Sequence, residues 1–309
     1  MNPDAAGTYA GTNPATAAVE PLTVRARLTS EAGDLITPTH TLKLTERPSH
    51  PSLFYTPDEL ARMRDKIERF EWARRTYEGR KRNADRWLER DFSPRVISGA
   101  WWHHYNCADC GARLRMEGPR RHVCPVCDKV WDTDVLYGVY WSKVHGDHAA
   151  AARDLALTYQ MTGEEKYARR AVEFLTWYAD HYAEFPTADK GGKVVSQTLD
   201  ECVWLLKIME AADLAYPAMS ESEARHIERD LIYAGAMYTR KYRGGIHNIR
   251  CWHNACWASA GYFVGDPELV SFARDARYGF VAQMAKGVLE GGMWYERSTV
   301  YHAYLVSTL

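Results

Sequence analysis

The sequence lacks three features: a long hydrophobic run, an excess of charge of one sign and a recognisable export signal. No apolar stretch approaches the roughly 20 residues of a membrane-spanning helix. Lys and Arg total 39 and Asp and Glu total 40, and this balance argues against a generally basic nucleic-acid binder. The first residues contain no basic segment followed by an apolar one, so no signal peptide is visible. We therefore expect a globular chain that has no membrane span and no nucleic-acid partner.

Phenylalanine is also scarce, and its place is taken by aromatic residues that carry a polar group. The chain has 8 Phe against 11 Trp and 19 Tyr, within a hydrophobic fraction of 46%. Trp and Tyr combine an apolar ring with a hydrogen-bonding atom, and such rings can stack on sugars. Most of them are expected in the core, which a chain of 309 residues is long enough to form.

The N-terminal part, residues 1–46, is predicted to contain a disordered start and the remnant of a small β module. The first 20 or so residues are rich in Ala, Thr, Gly and Pro and show no periodicity. Apolar and polar residues then alternate in Leu22–Leu28 and in Thr39–Thr45. This alternation predicts two half-buried strands.

Residues 47–309 are predicted to be mainly α-helical. Capping boxes at Thr56, Thr162 and Ser220, and the pair Asp266-Pro267, mark helix starts. From residue 147 onward the pattern predicts helices near 147–161, 164–184, 196–215, 221–241, 249–264 and 267–289. Such pairs fit an α-solenoid or an (α/α) toroid, and the lack of a fixed repeat favours an incomplete toroid.

A cysteine quartet interrupts this helical pattern within residues 100–135. The spacing is CxxC, thirteen residues, CxxC, formed by Cys107, Cys110, Cys124 and Cys127. Two such knuckles supply the four thiolates of a closed, structural Zn²⁺ site. Two disulfides are the alternative in an exported protein. Recognition of nucleic acid by a basic edge is another, and that edge would consist of Arg113, Arg115, Arg120 and Arg121. We expect a zinc ribbon, with the other three cysteines buried in helices.

The C-terminal third carries the residues that point to a family. The segment His247–Asn254 is followed by Glu296-Arg-Ser-Thr-Val-Tyr-His302, and the pattern Gln197-Thr-Leu-Asp-Glu201 lies upstream. Together these segments resemble the heparinase II/III-like polysaccharide lyases of the alginate and heparinoid type. The resemblance implies an (α/α) toroid, an anionic polysaccharide as partner, and β-eliminative cleavage of a uronic-acid polymer. It implies no redox or nucleotide cofactor.

The residues present suit that chemistry. A uronate lyase must neutralise the sugar carboxylate, remove the proton at C5 and protonate the leaving O4. By resemblance, Tyr301 is the acid, a residue that in this family often also acts as the base. Asn248 is the neutraliser, with His253 as its assistant. The separation of Tyr301 from Asn248, 301 − 248 = 53 residues, is close to that of the family. The substrate-binding candidates are Gln197, Asn254, Glu296 and His302.

Several alternatives remain open. Asn254 competes with Asn248 as the neutraliser, because it follows His253 directly. A non-catalytic glycan-binding domain and a uronate C5-epimerase on the same fold are the other functional readings. A glycoside hydrolase needs paired carboxylates, and Glu296 has no evident partner in the sequence. The family usually acts in the periplasm or outside the cell, and its toroid precedes a β-sandwich. Since this chain stops at Leu309, we expect a fragment or truncated member whose own activity is in doubt.

Overall fold

The computed structural model divides the chain into two units, of which the first is Met1–Arg47. In that unit the described residues are 22–24, 27–30, 33–36 and 40–42. They form strands β1 (Leu22–Val24), β2 (Arg27–Ser30), β3 (Gly33–Ile36) and β4 (His40–Leu42). β1 pairs antiparallel with β4, and β2 with β3. The two predicted strands are thus replaced by four short ones. The predicted disordered start lies outside the described residues.

The second unit, Pro48–Leu309, is described at residues 49–242 and 244–307 and is mainly helical, as predicted. It opens with α1 (Pro57–Arg69) and α2 (Glu71–Glu89). The Thr56 capping box is confirmed: the Thr56 side chain accepts from the Glu59 N–H, and the Glu59 carboxylate accepts from the Thr56 N–H. No described helix is long and apolar enough to cross a membrane.

The module around the cysteines is a small antiparallel sheet between helices. Its strands are β5 (Arg115–Gly118), β6 (Arg121–Val123) and β7 (Val130–Trp131), in the order β5-β6-β7. Before the first cysteine, Trp102–His104 form one 3-10 turn. The module ends where the Thr133 side chain caps the next helix by accepting from the Leu136 N–H.

The helical array begins with α3 (Asp134–Thr162), which starts thirteen residues earlier than predicted. It continues with α4 (Glu165–His181), α5 (Thr198–Ala215), α6 (Glu221–His226), a π-helical segment (Ile227–Tyr233) and α7 (Ala234–Thr239). The last helices are α8 (Asn248–Val264), α9 (Pro267–Asp275), α10 (Phe280–Gly287) and α11 (Thr299–Val306). The capping box predicted at Ser220 and the N-cap predicted at Asp266 are confirmed.

These helices pack in two layers. α3, α5 and α8 lie side by side, and α4, the π-helical segment and α9 pack against them. The core between the layers combines alanines with large rings, among them Ala152, Phe174, Tyr178 and Trp257, all completely buried. Helical pairing is therefore confirmed, and closure of the array into an (α/α) toroid stays a prediction.

One buried carboxylate fixes the loop that leads into α5. Glu201 is completely buried. It accepts from the Tyr182 hydroxyl at 2.9 Å and from the backbone N–H groups of Lys193 and Val195 at 3.0 and 3.1 Å. Burial raises the pKa of Glu201, and these hydrogen bonds partly offset the rise. The glutamate of the Gln-x-Leu-x-Glu segment thus holds the loop on which Gln197 lies.

Candidate active site

The start of α8 is held in place by the buried side chain of Gln283 on α10. Its Oε1 accepts from the His247 N–H at 3.1 Å, and its Nε2 donates to the Gly245 carbonyl at 3.0 Å. Gln283 is completely buried, so water does not compete for these bonds. The backbone of Gly245–His247 is consequently fixed before the helix begins.

Asn248, in the first turn of α8, faces the carboxylate of Glu296. Its Nδ2 donates to the two carboxylate oxygens at 3.1 and 2.8 Å. A carboxylate accepts only, so this contact also fixes which amide atom of Asn248 points towards Glu296. Asn248 is 3% exposed. The sequence placed these residues in separate segments, and the fold brings them into direct contact.

Glu296 receives two further polar contacts. The indole N–H of Trp294, a completely buried residue, donates to it at 2.5 Å. The Nε2 of His247 lies 3.6 Å from its other oxygen. The negative charge of Glu296 is thereby surrounded by polar hydrogens, and its side chain is still 18% exposed. This carboxylate orients Asn248 and has no second carboxylate among these partners.

His247 is the N-cap of α8, and its ring has a defined tautomer. Its Nδ1 accepts from the Ile249 N–H at 3.2 Å, so in the neutral ring the proton lies on Nε2. That nitrogen faces Glu296. The side chain is 40% exposed. An accessible imidazole therefore lies directly beside Asn248.

Tyr301 and His302 lie in the first turns of α11, which packs on α8. Tyr301 is 49% exposed, and within residues 49–242 and 244–307 its hydroxyl has no hydrogen-bond partner. The Nδ1 of His302 accepts from the backbone N–H of Trp294 at 3.3 Å. Through Trp294, α11 is joined to the Glu296–Asn248 pair. The Tyr301 phenol is thus accessible, and its neighbour is tied to this cluster.

One turn further along α11, Tyr304 packs against α8. Its ring packs on Trp252, with centroids 4.7 Å apart. Burial raises the pKa of Tyr304 to about 12, and the charge of Asp200 adds to the rise. Tyr301 lies three residues before Tyr304, so the two rings point to broadly the same side of α11. The face of α11 that carries Tyr301 therefore borders the beginning of α8, and the charge of Asp200 in α5 acts on that face.

Gln197 immediately precedes α5, and it is half-buried there. Burial raises the pKa of Asp200, and hydrogen bonds from Ser196 and Gln197, together with the nearby His103, partly offset the rise. The Ser196 hydroxyl donates to this carboxylate at 2.8 Å. The predicted sugar-binding residue Gln197 thus shares its surroundings with a carboxylate, Asp200, and with His103 from the cysteine module.

His253 and Asn254 lie inside the protein. His253 is completely buried, its Nδ1 bonds to the Ile249 carbonyl at 2.6 Å, and its ring stacks on Tyr242. Asn254 accepts from Arg250 Nε and donates to the Tyr278 carbonyl, both at 2.9 Å. The side-chain amides of both neutraliser candidates, Asn248 and Asn254, are therefore hydrogen-bonded within the protein. Of the two, Asn248 is the one that lies beside the accessible His247 ring and the partly exposed Glu296 carboxylate.

Buried histidines should make the protein less stable as the pH falls. Burial, together with the positive Arg250, lowers the pKa of His253 to about 4. Burial likewise lowers the pKa of His145 to about 3 and that of His148 to about 4. The unfolded chain takes up these protons below about pH 6.5 and the folded chain does not, so stability is lost from about pH 6.5 towards pH 4. The urea midpoint should be lower at about pH 5 than at about pH 7.

The variant His253→Phe provides the control for this prediction. Phe keeps a ring to stack on Tyr242 and removes the titrating group, so the difference between the two midpoints should shrink. An unchanged difference in His253→Phe, or equal midpoints for the unaltered protein at both pH values, would show that buried histidines do not set this pH dependence.

Comparison with known proteins identifies the family. A sequence model of the alginate lyase family matches residues 143–309, which is more than half of the chain. The chain belongs to the alginate lyase family. The matched part begins within α3 and includes every helix from α4 to α11. All seven catalytic and substrate-binding candidates lie within it.

Individual relatives agree with this assignment. An exo-oligoalginate lyase of Saccharophagus degradans is 28% identical over 179 residues, which cover 52% of this chain and 24% of that protein. An alginate lyase of Stenotrophomonas maltophilia is 28% identical over 157 residues, covering 45% and 21%. The chain thus spans less than a quarter of the length of these curated relatives.

A solved structure agrees at the level of the fold. The crystal structure of an alginate lyase from Bacteroides ovatus superposes with a TM-score of 0.53 at 13% identity. The match covers 79% of this chain and 70% of that one. This likeness supports the fold of this alginate lyase family member and carries no argument about its substrate.

Sequence reasoning missed three residues of the cluster in this family member. His247 gives no capping signal in the sequence, because His is not among the preferred N-cap residues and the predicted helix begins at residue 249, whereas α8 begins at Asn248. Trp294 and Asp200 gave no signal, because their roles depend on contacts with Glu296 and with the start of α5. Such contacts join distant parts of the chain, and the pattern along the sequence does not contain them.

Proposed function

We propose that the chain is the helical part of a lyase that cleaves an alginate-type uronate polysaccharide by β-elimination. The observation that carries the proposal is the cluster of Asn248, Glu296 and His247 at the start of α8, with Tyr301 exposed on the helix packed beside it. Family membership and the names of the two curated relatives support the choice of substrate. A relationship to the heparinase II/III-like lyases stays part of this proposal.

Asn248 is proposed to neutralise the uronate carboxylate. The amide nitrogen of Asn248 carries two hydrogens and contacts both oxygens of Glu296. The proposal is that one hydrogen is shared between these oxygens and that the other donates to the substrate. The partial positive charge at the N-terminus of α8, a helix of 17 residues, acts in the same direction. Stabilising the carboxylate makes the C5 proton more acidic, because negative charge moves towards the carboxylate as that proton leaves.

Tyr301 is proposed to donate the proton to O4. A base removes the proton at C5, a double bond forms between C4 and C5, and the C4–O4 bond breaks. The leaving oxygen takes the Tyr301 proton, so atoms and charges balance. Tyr301 is also the candidate base: as a phenolate it takes the C5 proton and passes the same proton to O4. His247 is not proposed as a base, because its Nδ1 already accepts from the Ile249 N–H and its Nε2 carries the proton, which it can donate to the uronate carboxylate. His247 replaces His253 as the proposed assistant because its ring is exposed, whereas His253 is completely buried.

The remaining predicted residues receive supporting roles. Glu296 orients Asn248, and His302 anchors the loop that carries Trp294. Gln197 is proposed to contact the sugar from the opposite helix start, next to Asp200. Asn254 is proposed to act only through the packing of α8, because both of its amide atoms bond within the protein.

The test is an activity screen of the purified protein on alginate and, as comparisons, on heparan, chondroitin and ulvan-type polymers. β-Elimination creates an unsaturated sugar end that absorbs ultraviolet light, whereas hydrolysis and epimerisation do not. We expect such ends to accumulate with alginate. Epimerised residues without unsaturated ends would instead indicate an epimerase, and tight binding of alginate without any chemical change would indicate a glycan-binding domain.

A further inference from the structure

The four cysteines of the inserted module converge on one point. Sulfur–sulfur distances are 3.7 Å for Cys107 and Cys127, 3.4 Å for Cys110 and Cys124, and 4.0 Å for Cys110 and Cys127. All four sulfurs lie within 4.8 Å of one another. Zinc–sulfur bonds of about 2.3 Å in a tetrahedron place sulfurs about 3.8 Å apart. A disulfide requires about 2.05 Å, so the spacing fits a metal and not two disulfides.

The two cysteine pairs lie in backbone turns that have the same hydrogen bonds and the same positive φ. Cys107 N–H donates to the Ala112 carbonyl and accepts, at its own carbonyl, from Gly111 N–H. Cys124 repeats both bonds with Lys129 and Asp128. Gly111 and Asp128, at equivalent positions, both have positive φ, of 72° and 57°. Two equal turns thus present their sulfurs to a shared centre.

The module has little else to hold it together. Its three strands have four, three and two residues. Its buried cluster contains six residues, two of which are Cys107 and Cys124. Modules of this size are commonly stabilised by a structural metal, because the apolar area they bury is too small. The site has four sulfur ligands, which leave no position for a reacting water.

The basic edge of the module is occupied within the protein. Arg115 and Arg121 both pair with Glu117, and Arg120 pairs with Asp132 and Asp134. The guanidinium of Arg113 lies 4.0 Å from the centre of the Trp102 ring. All four arginines of this edge thus have partners within the protein, which disfavours recognition of nucleic acid.

One side of the module holds the segment Trp101–His104. Tyr105 is buried and its hydroxyl bonds to Nδ1 of His122 at 2.7 Å. The Trp102 ring stacks on Tyr105, with centroids 5.2 Å apart and planes at 8°. Tyr105 lies two residues before Cys107, the first of the four converging cysteines. The position of the Trp101–His104 rings therefore depends on the cysteine centre.

The other side of the same segment meets the start of α5. The Lys190 ammonium lies 5.7 Å from the centre of the Trp101 ring. The backbones of Lys190 and Gln197 pair in a single β-bridge, and His103 acts electrostatically on Asp200. Rings that stack on sugars and a cation that attracts uronate are thereby placed beside the proposed sugar-binding residue Gln197.

We propose that Cys107, Cys110, Cys124 and Cys127 bind one structural zinc ion, and that this ion fixes Trp101–His104 as a wall of the substrate cleft. The metal site stands on the sulfur geometry alone. The role of the wall rests on the proposed lyase function. The wall contacts a uronate residue of the polymer next to the one that reacts, and it supplies binding and no proton transfer.

The metal is tested first, and without reference to activity. Elemental analysis of protein purified without chelators should give about one zinc per chain. Cys127→Ser should lose most of it, and Cys202→Ala, which removes a buried cysteine of α5, should keep it. Cobalt exchanged for zinc should give the absorption of a tetrahedral thiolate site. Two disulfides found by mass spectrometry of the unreduced protein, or full zinc content in Cys127→Ser, would overturn the site.

The wall is tested with a variant that leaves all cysteines in place. Trp101→Ala should keep its zinc and raise KM for oligoalginate about tenfold, while kcat changes by less than about twofold. Trp72→Ala, on α2 and 64% exposed, is the matched control and should behave like the unaltered protein. An unchanged KM in Trp101→Ala would refute the proposed role of Trp101–His104 in substrate binding and would leave the zinc proposal unaffected. If the protein cleaves no uronate polymer, the lyase proposal fails instead, and the same comparison is made on the dissociation constant for oligoalginate.

Discussion

Replacing Tyr301 by Phe is expected to lower the turnover number on alginate by about 100- to 10,000-fold. The substitution removes only the hydroxyl, which makes no hydrogen bond in the described part of the chain and is therefore available to a substrate. Without that hydroxyl, O4 leaves as an unprotonated oxygen, which is a far poorer leaving group. Binding should change little, because the ring remains. Steady-state kinetics should thus show a large fall in kcat and a KM within about threefold.

The matched control for this variant is Tyr233→Phe. Tyr233 lies in the π-helical segment and is 36% exposed, so it loses a similarly accessible hydroxyl. It should retain normal turnover. Thermal unfolding of both variants should match that of the unaltered protein, since neither hydroxyl supports the fold. Near-normal turnover of Tyr301→Phe in a preparation that cleaves alginate would remove Tyr301 from the mechanism.

Local signals in the sequence predicted several helix boundaries well. Thr56 and Ser220 each form the reciprocal capping box that their spacing indicates. The same signal failed at Thr162, because α3 continues through that residue and ends at Gly163, whose φ is 73°. The Thr162 hydroxyl donates to the Thr158 carbonyl and accepts from the Glu164 N–H at 3.2 Å, not from the Glu165 N–H that a capping box requires. A capping motif specifies a helix start only where the preceding helix has already ended.

Other boundaries depend on contacts across the fold. The predicted helix 267–289 is two helices, α9 and α10, separated by a break at residues 276–279. In that break the Tyr278 carbonyl accepts from Asn254 and from Gln283. These two partners come from α8 and α10. Periodicity along the chain could not reveal the break, because its stabilising bonds are tertiary.

The candidate site shows the same limit. Helix geometry places positions 248 and 253 about 140° apart, so only one of them faces the α11 side unless Asn248 lies in the first turn. The structure does place Asn248 in the first turn, and His253 points into the core. The sequence could name Asn248, Glu296 and Tyr301 as candidates. Their arrangement could not be predicted, because it depends on the loop between α10 and α11 that brings Glu296 against Asn248.

Asn248→Asp is expected to reduce kcat/KM on alginate by about 100- to 1,000-fold. The change keeps the size and shape of the side chain and replaces the donating amide by a second carboxylate. At position 248 that carboxylate lies within about 3 Å of Glu296 and faces the uronate carboxylate that it should neutralise. Like charges at this separation repel, so either substrate binding weakens or one carboxyl takes up a proton. Activity should recover partly as the pH is lowered, because protonation removes that repulsion.

The same substitution at Asn254 separates the two neutraliser candidates. In Asn254→Asp the new carboxylate keeps its contact with Arg250 and gains an ion pair, while the Tyr278 carbonyl loses one of its two donors and keeps Gln283. We therefore expect a shift in the unfolding midpoint and a kcat/KM within about threefold of the unaltered protein, since Asn254 acts only through packing. If Asn254→Asp instead abolishes cleavage in a normally folded protein, and Asn248→Asp remains active, the neutraliser is Asn254. The exposed cluster at the start of α8 would then have to be reassigned to binding, because a residue with both amide atoms bonded inside the protein must first release one of them to reach a substrate.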